Sequence, residues 1–264
     1  MKIKNSVTIE IINYTNAQLR GISAGATHRG VVRKANEDAY LDRPDRGLWA
    51  VADGMGGHAA GDLASRLVVQ ALKTAPQHRF LGRAVASLRD CLGDANRRLG
   101  IEARHRGEAI IGSTLAALVA MGGHCVLLWV GDSRVYRLRN GTLHRLSHDH
   151  GRVQALVDQG RLSPDLAEEH PDAHVITRAL GAGERLEVDA QICELKSGDR
   201  FLLCTDGLTR EIPEGDIAEL SARMALNAVP QTLIDEACKR GARDNVTAVV
   251  VDFPPPETTQ GERV

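Results

Sequence analysis

Two short turns between apolar segments restrict the fold of this chain more than any other sequence feature. Gly122-Gly123 separates the apolar runs 113–120 and 125–130, and Asn140-Gly141 separates two further strand-like runs. Turns this short can join only antiparallel strands, because parallel strands need a long crossover, and Asn-Gly is typical of the type I′ turn. The sequence therefore predicts antiparallel sheet.

The first of these segments also has an alternative interpretation. Residues 109–130 contain no Lys, Arg, Asp or Glu, and such a run is long enough to span a bilayer. However, Gly122-Gly123 and His124 interrupt the run, and β-branched residues gather on both sides of this interruption. A hairpin is therefore favoured over a membrane span.

Strand-like and helix-like segments occur in blocks along the rest of the chain. Helical spacing of apolar residues predicts a helix at 60–75, a long helix at 81–106, and shorter helices at 150–159, 213–225 and 230–240. The other predicted strands are 21–27, 38–41, 48–52, 133–139, 142–146, 186–194, 200–204 and 246–253. Because strands follow strands and helices come in pairs, the fold class is α+β, with antiparallel sheets covered by helices.

Composition excludes several classes of function. Lys and Arg number 33 and Asp and Glu 34, a net charge of -1, so no basic field is available to hold a nucleic-acid backbone. A hydrophobic share of 43% argues against disorder. The five cysteines are scattered without a Cys-x-x-Cys pair, and residues 1–20 lack the apolar core of a signal peptide. These features predict a reducing, cytoplasmic compartment without disulfides.

Acidic residues recur at the ends of apolar strands or in glycine turns, and this pattern indicates a metal site. A carboxylate beside an apolar strand is costly to bury unless it is paired or binds a cation, and a following glycine allows a sharp turn. Several such carboxylates brought together would form an oxygen-rich site for Mg²⁺ or Mn²⁺. The five places are Asn36-Glu37-Asp38, Asp53-Gly54-Met55-Gly56-Gly57-His58, Gly131-Asp132-Ser133-Arg134, Thr205-Asp206-Gly207 and Arg243-Asp244-Asn245.

Each of these segments also has a simpler interpretation. Asp-Gly alone is an ordinary turn, Gly131-Asp132-Ser133-Arg134 fits a hairpin corner, and Asp244-Asn245 fits a helix cap or a loop. His148-Asp149-His150 fits either a zinc site or a helix start capped by Asp149, and the cap is favoured. His58 is equally compatible with an acid–base role and with an exposed imidazole. The five acidic segments together favour the metal site.

In their order along the chain, these motifs resemble metal-dependent protein phosphatases of the PP2C type. The resemblance extends over about residues 24–253 and includes Gly112-Ser113-Thr114, and the stretch 146–181 is similar to the bacterial branch. It implies a central sandwich of two antiparallel β-sheets flanked by pairs of α-helices, in four αββα layers. It also implies an N-terminal arm or edge strand at 1–20, a phosphatase domain at 21–253 with a flap at about 160–174, and a flexible tail at 254–264.

The resemblance further implies roles for individual residues. Asp53 would bridge two metal ions, Asp38 would orient a metal-bound water, and Arg33 would hold the substrate phosphate. The other implied metal ligands are Asp206 and Asp244 at one ion, Glu37 and the Gly54 carbonyl at the other, and Asp132 with Asp206 at a third. The chain departs from the wider family at Met55, where some members carry a histidine proposed as general acid. His58 or a water on the third ion would then supply the proton.

The function that the resemblance implies is hydrolysis of phosphoserine and phosphothreonine by a metal-activated water, with two or three Mn²⁺ or Mg²⁺ ions. A non-catalytic regulatory or binding module of the same fold is the alternative, and a metal-binding protein without phosphatase chemistry is the third possibility. The complete set of six carboxylates favours catalysis. The expected partners are substrates of a bacterial Ser/Thr kinase, with a link to type VI secretion, and the expected state is a monomer that binds neither nucleic acid nor membrane.

Overall fold

Strand pairing is antiparallel in both sheets of the computed structural model, which describes residues 19–57, 60–167 and 170–255. The first sheet has the order β1 (Ile22–His28), β11 (Val246–Phe253), β10 (Asp199–Cys204), β7 (Arg134–Arg139) and β8 (Thr142–Arg145). The second has the order β2 (Asp38–Arg43), β3 (Leu48–Met55), β5 (Leu115–Met121), β6 (His124–Val130) and β9 (Asp189–Glu194), and the short β4 (Gly112–Ser113) pairs with β3.

Helices cover the outer faces of both sheets. They are α1 (Ala60–Thr74) and α2 (Leu81–Arg106) on the second sheet, and α4 (Asp206–Thr209), α5 (Glu214–Arg223) and α6 (Val229–Lys239) on the first. A further short helix is α3 (Arg152–Asp158). Two single turns of 3-10 helix lie at Pro44–Arg46 and Pro164–Leu166. None of the helices among the described residues combines the length and the apolar character that crossing a bilayer requires.

Period-two alternation along the central strands explains why the sheets stack. In β3, Leu48 and Ala50 face one apolar cluster, while Trp49 and Val51 face another. In the same way, β11 alternates between the cluster that the two sheets share and the cluster under α5 and α6. Because successive side chains point to opposite faces of a strand, a wholly apolar strand must be covered on both sides. Three apolar layers therefore separate four layers of secondary structure.

The sequence predictions of fold class and of both hairpins are confirmed. Gly122-Gly123 joins β5 to β6, and at the β7–β8 turn Asn140 has φ 53° and Gly141 φ 78°, as a type I′ turn requires. The long helix has the predicted bounds, 81–106. The strand predicted at 186–194 begins only at Asp189, and Asp206, which was predicted to follow the strand at 200–204, is the first residue of α4. Residues 1–18 and 256–264, which carry most of the predicted arm and tail, lie outside the described residues.

The cap predicted for Asp149 is wrong. The N-cap of α3 is Gly151, and it makes no side-chain cap hydrogen bond. Asp149 instead pairs with Arg134 at 2.8 Å between Oδ2 and Nη2, and it is the charge of this arginine that holds the carboxylate inside the fold. The two flanking histidines bind different aspartates, His148 to Asp158 and His150 to Asp189, so they do not form a shared zinc site.

A buried asparagine on α2 anchors the segment that follows the predicted flap. Asn96 is only 3% exposed, donates from Nδ2 to the carbonyl of Gly183 at 2.9 Å, and accepts from the amide of Gly181 at 2.7 Å. Gly181 has φ +84°, a backbone conformation that residues with a side chain rarely adopt. The hydrogen bond to Asn96 holds this turn in place. Asn96 therefore ties residues 181–183 to the long helix.

Asn96→Ala is expected to lower the free energy of unfolding by about 1–3 kcal/mol, because two backbone groups lose their buried partner. Urea denaturation followed by circular dichroism measures this loss. Asn227→Ala, at an exposed position, is the matched control and is expected to stay within about 0.5 kcal/mol of the wild type. Equal stability of the two variants would contradict the anchoring role.

Candidate metal centre and active site

Strand register brings the first two predicted carboxylates together. In the antiparallel pair of β2 and β3, Asp38 lies directly opposite Asp53. The apolar run of β3 ends at Ala52, so both carboxylates lie where the buried part of the sheet meets solvent. Neighbouring positions of paired strands hold side chains within about 5 Å of each other. Two acidic segments separated by 15 residues thus become one pair.

The other sheet holds the Asp38 carboxylate. Thr205, which follows β10, donates from its hydroxyl to Oδ2 of Asp38 at 2.8 Å, and Thr247 of β11 donates to the same oxygen at 2.7 Å. Both threonines are fully buried. Because Asp206 follows Thr205 directly, these hydrogen bonds also bring Asp206 close to Asp38. The sequence analysis did not single out either hydroxyl for this contact.

Asn245 positions the loop that carries Arg33 and Glu37. Its side-chain amide donates to the carbonyls of Arg29 at 3.0 Å and Ala35 at 2.9 Å, and its Oδ1 accepts from the amide of Glu37 at 2.7 Å. Asn245 is itself 4% exposed and directly precedes β11. The Asp244-Asn245 segment is therefore neither a helix cap nor a free loop, and its asparagine holds the loop at 29–37 against the sheet.

Hydroxyl groups connect the loop of Asp132 to Asp53. The Thr114 hydroxyl accepts from the amide of Asp53 at 3.0 Å and lies 2.7 Å from the Ser133 hydroxyl. The Thr114 amide donates to the carbonyl of Asp53 at 2.8 Å. Thr114 of the Gly-Ser-Thr motif thus fixes the backbone at Asp53. It also holds Ser133, and with it the adjacent Asp132, close to Asp53.

Close backbone contact brings Gly54 to Glu37. The Gly54 amide donates to the carbonyl of Glu37 at 3.1 Å. A Cβ atom on Gly61, in the first turn of α1, would lie 2.7 Å from the Gly54 carbonyl oxygen and 2.9 Å from Oε1 of Glu37. Only glycine at position 61 leaves room for these two oxygens, which face the same small space. Gly61 is a residue that the sequence analysis missed.

The carboxylates repel one another, and this repulsion appears in their pKa values. Burial raises the pKa of Asp53 well above its usual range, and the charges of Asp38, Asp206 and Asp132 raise it further. Burial is also the main cause that raises the pKa values of Asp132 and Asp206. It raises the pKa of Asp38 to about 7, although the hydrogen bonds from the two threonines oppose the shift. A cluster of this kind is stabilised by positive charge.

Two arginines supply positive charge to this cluster. Nη2 of Arg33 lies 2.9 Å from Oδ2 of Asp244. Arg210 contacts the carboxylate of Asp206, and its Nη1 lies 3.3 Å from the same oxygen of Asp244. Arg210 was not predicted, although its position four residues after Asp206 in a helical segment places both side chains on one face.

Most of the predicted site residues lie together, but their side chains are not yet arranged around one point as the ligands of a bound ion. Over the three described ranges, no three acidic, histidine or cysteine side chains already surround a common point as the ligands of an ion do. Asp206 and Asp244 face the arginines instead. His58, the predicted acid–base residue, lies outside the described residues. The individual ligand and catalytic roles therefore stay predictions.

A groove of about 640 Å³ opens above these carboxylates. Arg33, Asp132, Asp206 and Asp244 form part of its wall. Ala167, Ala173 and His174, from the segment predicted as a flap, also line the groove, together with residues of α3 and Arg134, Asp149, Arg210, Glu211, Arg240 and Arg243. The groove therefore gives solvent access to Asp132, Asp206 and Asp244.

Comparison with known proteins decides the family. The model of the family "Protein phosphatase 2C" matches residues 24–239. The chain belongs to the protein phosphatase 2C family. The resemblance inferred from the ordered motifs is thereby confirmed, and so is the four-layer sandwich that it implied.

Three matches to two known proteins illustrate the similarity. The chain is 37% identical to the serine/threonine protein phosphatase PstP of Mycobacterium tuberculosis over 87% of its own length, but it spans only 44% of that protein. The structure of PppA, described as a key regulatory component of T6SS in Pseudomonas aeruginosa, is 44% identical with a TM-score of 0.82, covering 88% of this chain and 97% of that one. The PstP catalytic domain in complex with two manganese ions is 34% identical with a TM-score of 0.78, covering 89% and 99%.

Asp53→Asn is expected to raise the free energy of unfolding in EDTA at pH 8 by about 0.5–2 kcal/mol, because it removes charge from a repelling cluster. The same change is expected to abolish the rise in melting temperature that Mn²⁺ gives the wild type, since an anionic ligand is lost. Thermal melts with EDTA and with MnCl₂ measure both effects. Asp90→Asn, on the exposed face of α2, is the control and should respond to Mn²⁺ like the wild type. A normal Mn²⁺ response of Asp53→Asn would exclude Asp53 as a ligand.

Proposed function

We propose that this chain is a metal-dependent protein serine/threonine phosphatase. The single observation that carries the proposal is the convergence of Asp38, Asp53, Asp132 and Asp206 at one end of the sandwich, where burial raises the pKa values of all four, beside an arginine and an open groove. Membership of the protein phosphatase 2C family supports the activity. The two manganese ions of the PstP catalytic domain support the cofactor.

The donor groups fit a hard divalent cation. Every proposed ligand atom is a carboxylate or carbonyl oxygen, the type that Mg²⁺ and Mn²⁺ prefer. Among the residues that the structure describes, Oδ1 of Asp38 and Oδ1 of Asp206 are buried without a hydrogen-bond partner, so both can still accept one. Asp53 would bridge two ions, with Asp206 and Asp244 at one of them and Glu37 and the Gly54 carbonyl at the other. Asp132 would join Asp206 at a third.

Arg210 and Arg33 are the groups that a cation would replace. Both contact Asp244, and Arg210 also contacts Asp206. A divalent ion would take over these carboxylates, and the guanidinium groups would turn to other anions. Arg33 is 54% exposed at the mouth of the groove, so its N–H groups are accessible to a phosphate that enters from solvent. A guanidinium matches two phosphate oxygens at once, which an ammonium cannot do.

Asp38 is suited to accept a proton from the attacking water. Bound divalent cations would supply the charge that acidifies water and offsets the charge of the phosphate. The two threonine hydroxyls hold Oδ2 of Asp38 in place, while Oδ1 remains available. Burial raises the pKa of this carboxyl to about 7, and the charge of bound cations would lower it again, so the carboxylate would stay anionic and able to accept a proton from the water. The donor of the proton to the leaving serine or threonine oxygen is assigned, as a prediction, to His58 or to a water.

Phosphorylated proteins are the proposed substrates. The similarity to PppA supports a role next to type VI secretion, in which this chain would oppose a Ser/Thr kinase. The monomeric state and the cytoplasmic location stay predictions from the sequence. The alternative is a non-catalytic module of the same fold, which would bind phosphoproteins without turnover. Release of phosphate from a phosphothreonine peptide by the wild-type chain separates the two functions.

Asp206→Asn is expected to lower Mn²⁺-dependent turnover of a phosphothreonine peptide and of p-nitrophenyl phosphate by at least about 100-fold, because a charged metal ligand is removed. Phosphate release with MnCl₂, with MgCl₂ and with EDTA measures the loss. Arg97→Ala, which breaks an exposed ion pair with Asp94 on α2, is the control and should keep wild-type turnover. Near-normal turnover of Asp206→Asn would contradict its assignment.

Arg33→Ala is expected to lower kcat/KM for the phosphopeptide by about 10- to 100-fold, since a charge-assisted bidentate contact to phosphate is lost. Arg33→Lys should recover little of this loss, because lysine binds phosphate as a point charge. Steady-state kinetics and Mn²⁺ titration by calorimetry test both variants. Unchanged kcat/KM in Arg33→Ala, or a large loss of Mn²⁺ affinity with it, would contradict the phosphate role.

A further inference from the structure

Two cysteines lie directly opposite each other in the second sheet. Cys125 of β6 pairs in register with Cys193 of β9, and the two strands are antiparallel. Both side chains belong to the apolar cluster between the sheets, so they point to the same face. Directly opposed side chains on one face are the closest neighbours that two strands provide. The two thiols therefore face each other across one strand pair.

The surroundings of Cys193 favour its thiolate. The hydrogen bond from the Cys125 thiol lowers the pKa of Cys193 to about 7, against the effect of burial, and the positive charge of Arg137 lowers it further. Gln191 also donates from Nε2 to Sγ of Cys193 at 3.6 Å. Nε of Arg137 is buried and, among the described residues, has no hydrogen-bond partner, so a nearby negative charge would be favourable to it. A thiolate with a second thiol beside it is the typical arrangement of a redox-sensitive pair.

The strand that carries Cys193 can adjust to a bond. Among the residues that the structure describes, β9 is the edge strand of its sheet and pairs only with β6. Cys193 is 9% exposed, whereas Cys125 is fully buried, so a small oxidant would meet Cys193 first. A disulfide needs Cα atoms about 4.4–6.8 Å apart, and opposed residues of an antiparallel pair have about this spacing. Bond formation therefore requires only a small shift of an edge strand.

We propose that Cys125 and Cys193 form a reversible cross-strand disulfide under oxidation by a peroxide. The Cys193 thiolate attacks one oxygen of hydrogen peroxide, so that an S–O bond forms, the O–O bond breaks and hydroxide leaves. The sulfur of Cys125 then attacks the resulting sulfenic acid, the S–O bond breaks, and the thiol proton leaves with the hydroxyl group as water. The hydroxide takes up the proton that Cys193 lost on ionisation, so two thiols are oxidised and one peroxide is reduced to two waters. A dithiol reductant returns both cysteines to the free form.

The position of the pair determines what the bond would change. Cys125 lies near the start of β6, whereas Asp132 follows the other end of that strand, about 20 Å away at the rise of a β-strand. The bond would close the chain from 125 to 193, which contains Asp132 and the segment that lines the groove. A closed loop of this length restricts the unfolded chain, so the oxidised protein should resist heat without any change in the acidic cluster.

Thiol counting after treatment with hydrogen peroxide tests the proposal on the full chain. The reduced protein should take up five iodoacetamide groups under denaturing conditions, and the oxidised protein should take up three. Proteolysis and mass spectrometry should yield one linked peptide pair containing Cys125 and Cys193, which dithiothreitol separates. The melting temperature should rise by about 4–10 °C on oxidation and fall again on reduction. Five free thiols after treatment, or links mainly between other cysteines, would overturn the proposal.

Variants separate the proposed bond from general oxidation. Cys193→Ser, at the edge strand, should fold normally and show neither the linked peptides nor the rise in melting temperature, and Cys125→Ala should behave in the same way. Cys91→Ser, a half-buried cysteine on α2, is the matched control and should keep both effects. A similar peroxide-induced rise in melting temperature in Cys193→Ser would contradict the proposal. None of these readouts depends on phosphatase activity, so the two proposals can fail independently.

Discussion

The hydrogen bonds that Thr205 and Thr247 donate to Asp38 connect the chemistry of this protein to its fold. Asp38 belongs to the second sheet, Thr247 belongs to the first, and Thr205 directly follows a strand of the first, so one buried carboxylate spans the contact between the sheets. Breaking a buried hydrogen bond to a charged group is costly, and the relative position of the two sheets is therefore tied to this oxygen. Glu37, Asp53 and Asp206 all lie next to the residues of this contact. The site consequently exists only when the sandwich is assembled.

The same arrangement has a cost in stability that positive charge offsets. Four carboxylates with raised pKa values lie at one end of the sandwich, where burial and mutual repulsion both disfavour their charged forms. Arg33 and Arg210 contact the outer members of this group. The unfavourable free energy of this repulsion is offset elsewhere in the fold, by burial in three apolar layers and by buried hydrogen bonds such as those of Asn96. A divalent cation would relieve the repulsion more completely than a guanidinium.

Local sequence patterns predicted much of the fold because they act over short distances. The type I′ turn at Asn140-Gly141 depends on two residues that adopt positive φ, and the bounds of α2 follow from helical spacing. The family resemblance arose from ordered motifs in the same way. Where short-range signals compete, the prediction was wrong: Asp149 has the character of a cap residue, but the charge of Arg134 attracts it instead.

The sequence by itself determined the strands and helices, the antiparallel class and the oxygen-bearing residues at the strand ends. Each of these features depends on residues within a few positions of one another. Only the tertiary structure decided which distant groups meet. The contact of Thr247 with Asp38, the approach of Arg210 to Asp244 and the pairing of Cys125 with Cys193 all depend on strand register and on how the two sheets stack. Register is set by the burial of whole strand faces, a property of the assembled core rather than of any short segment.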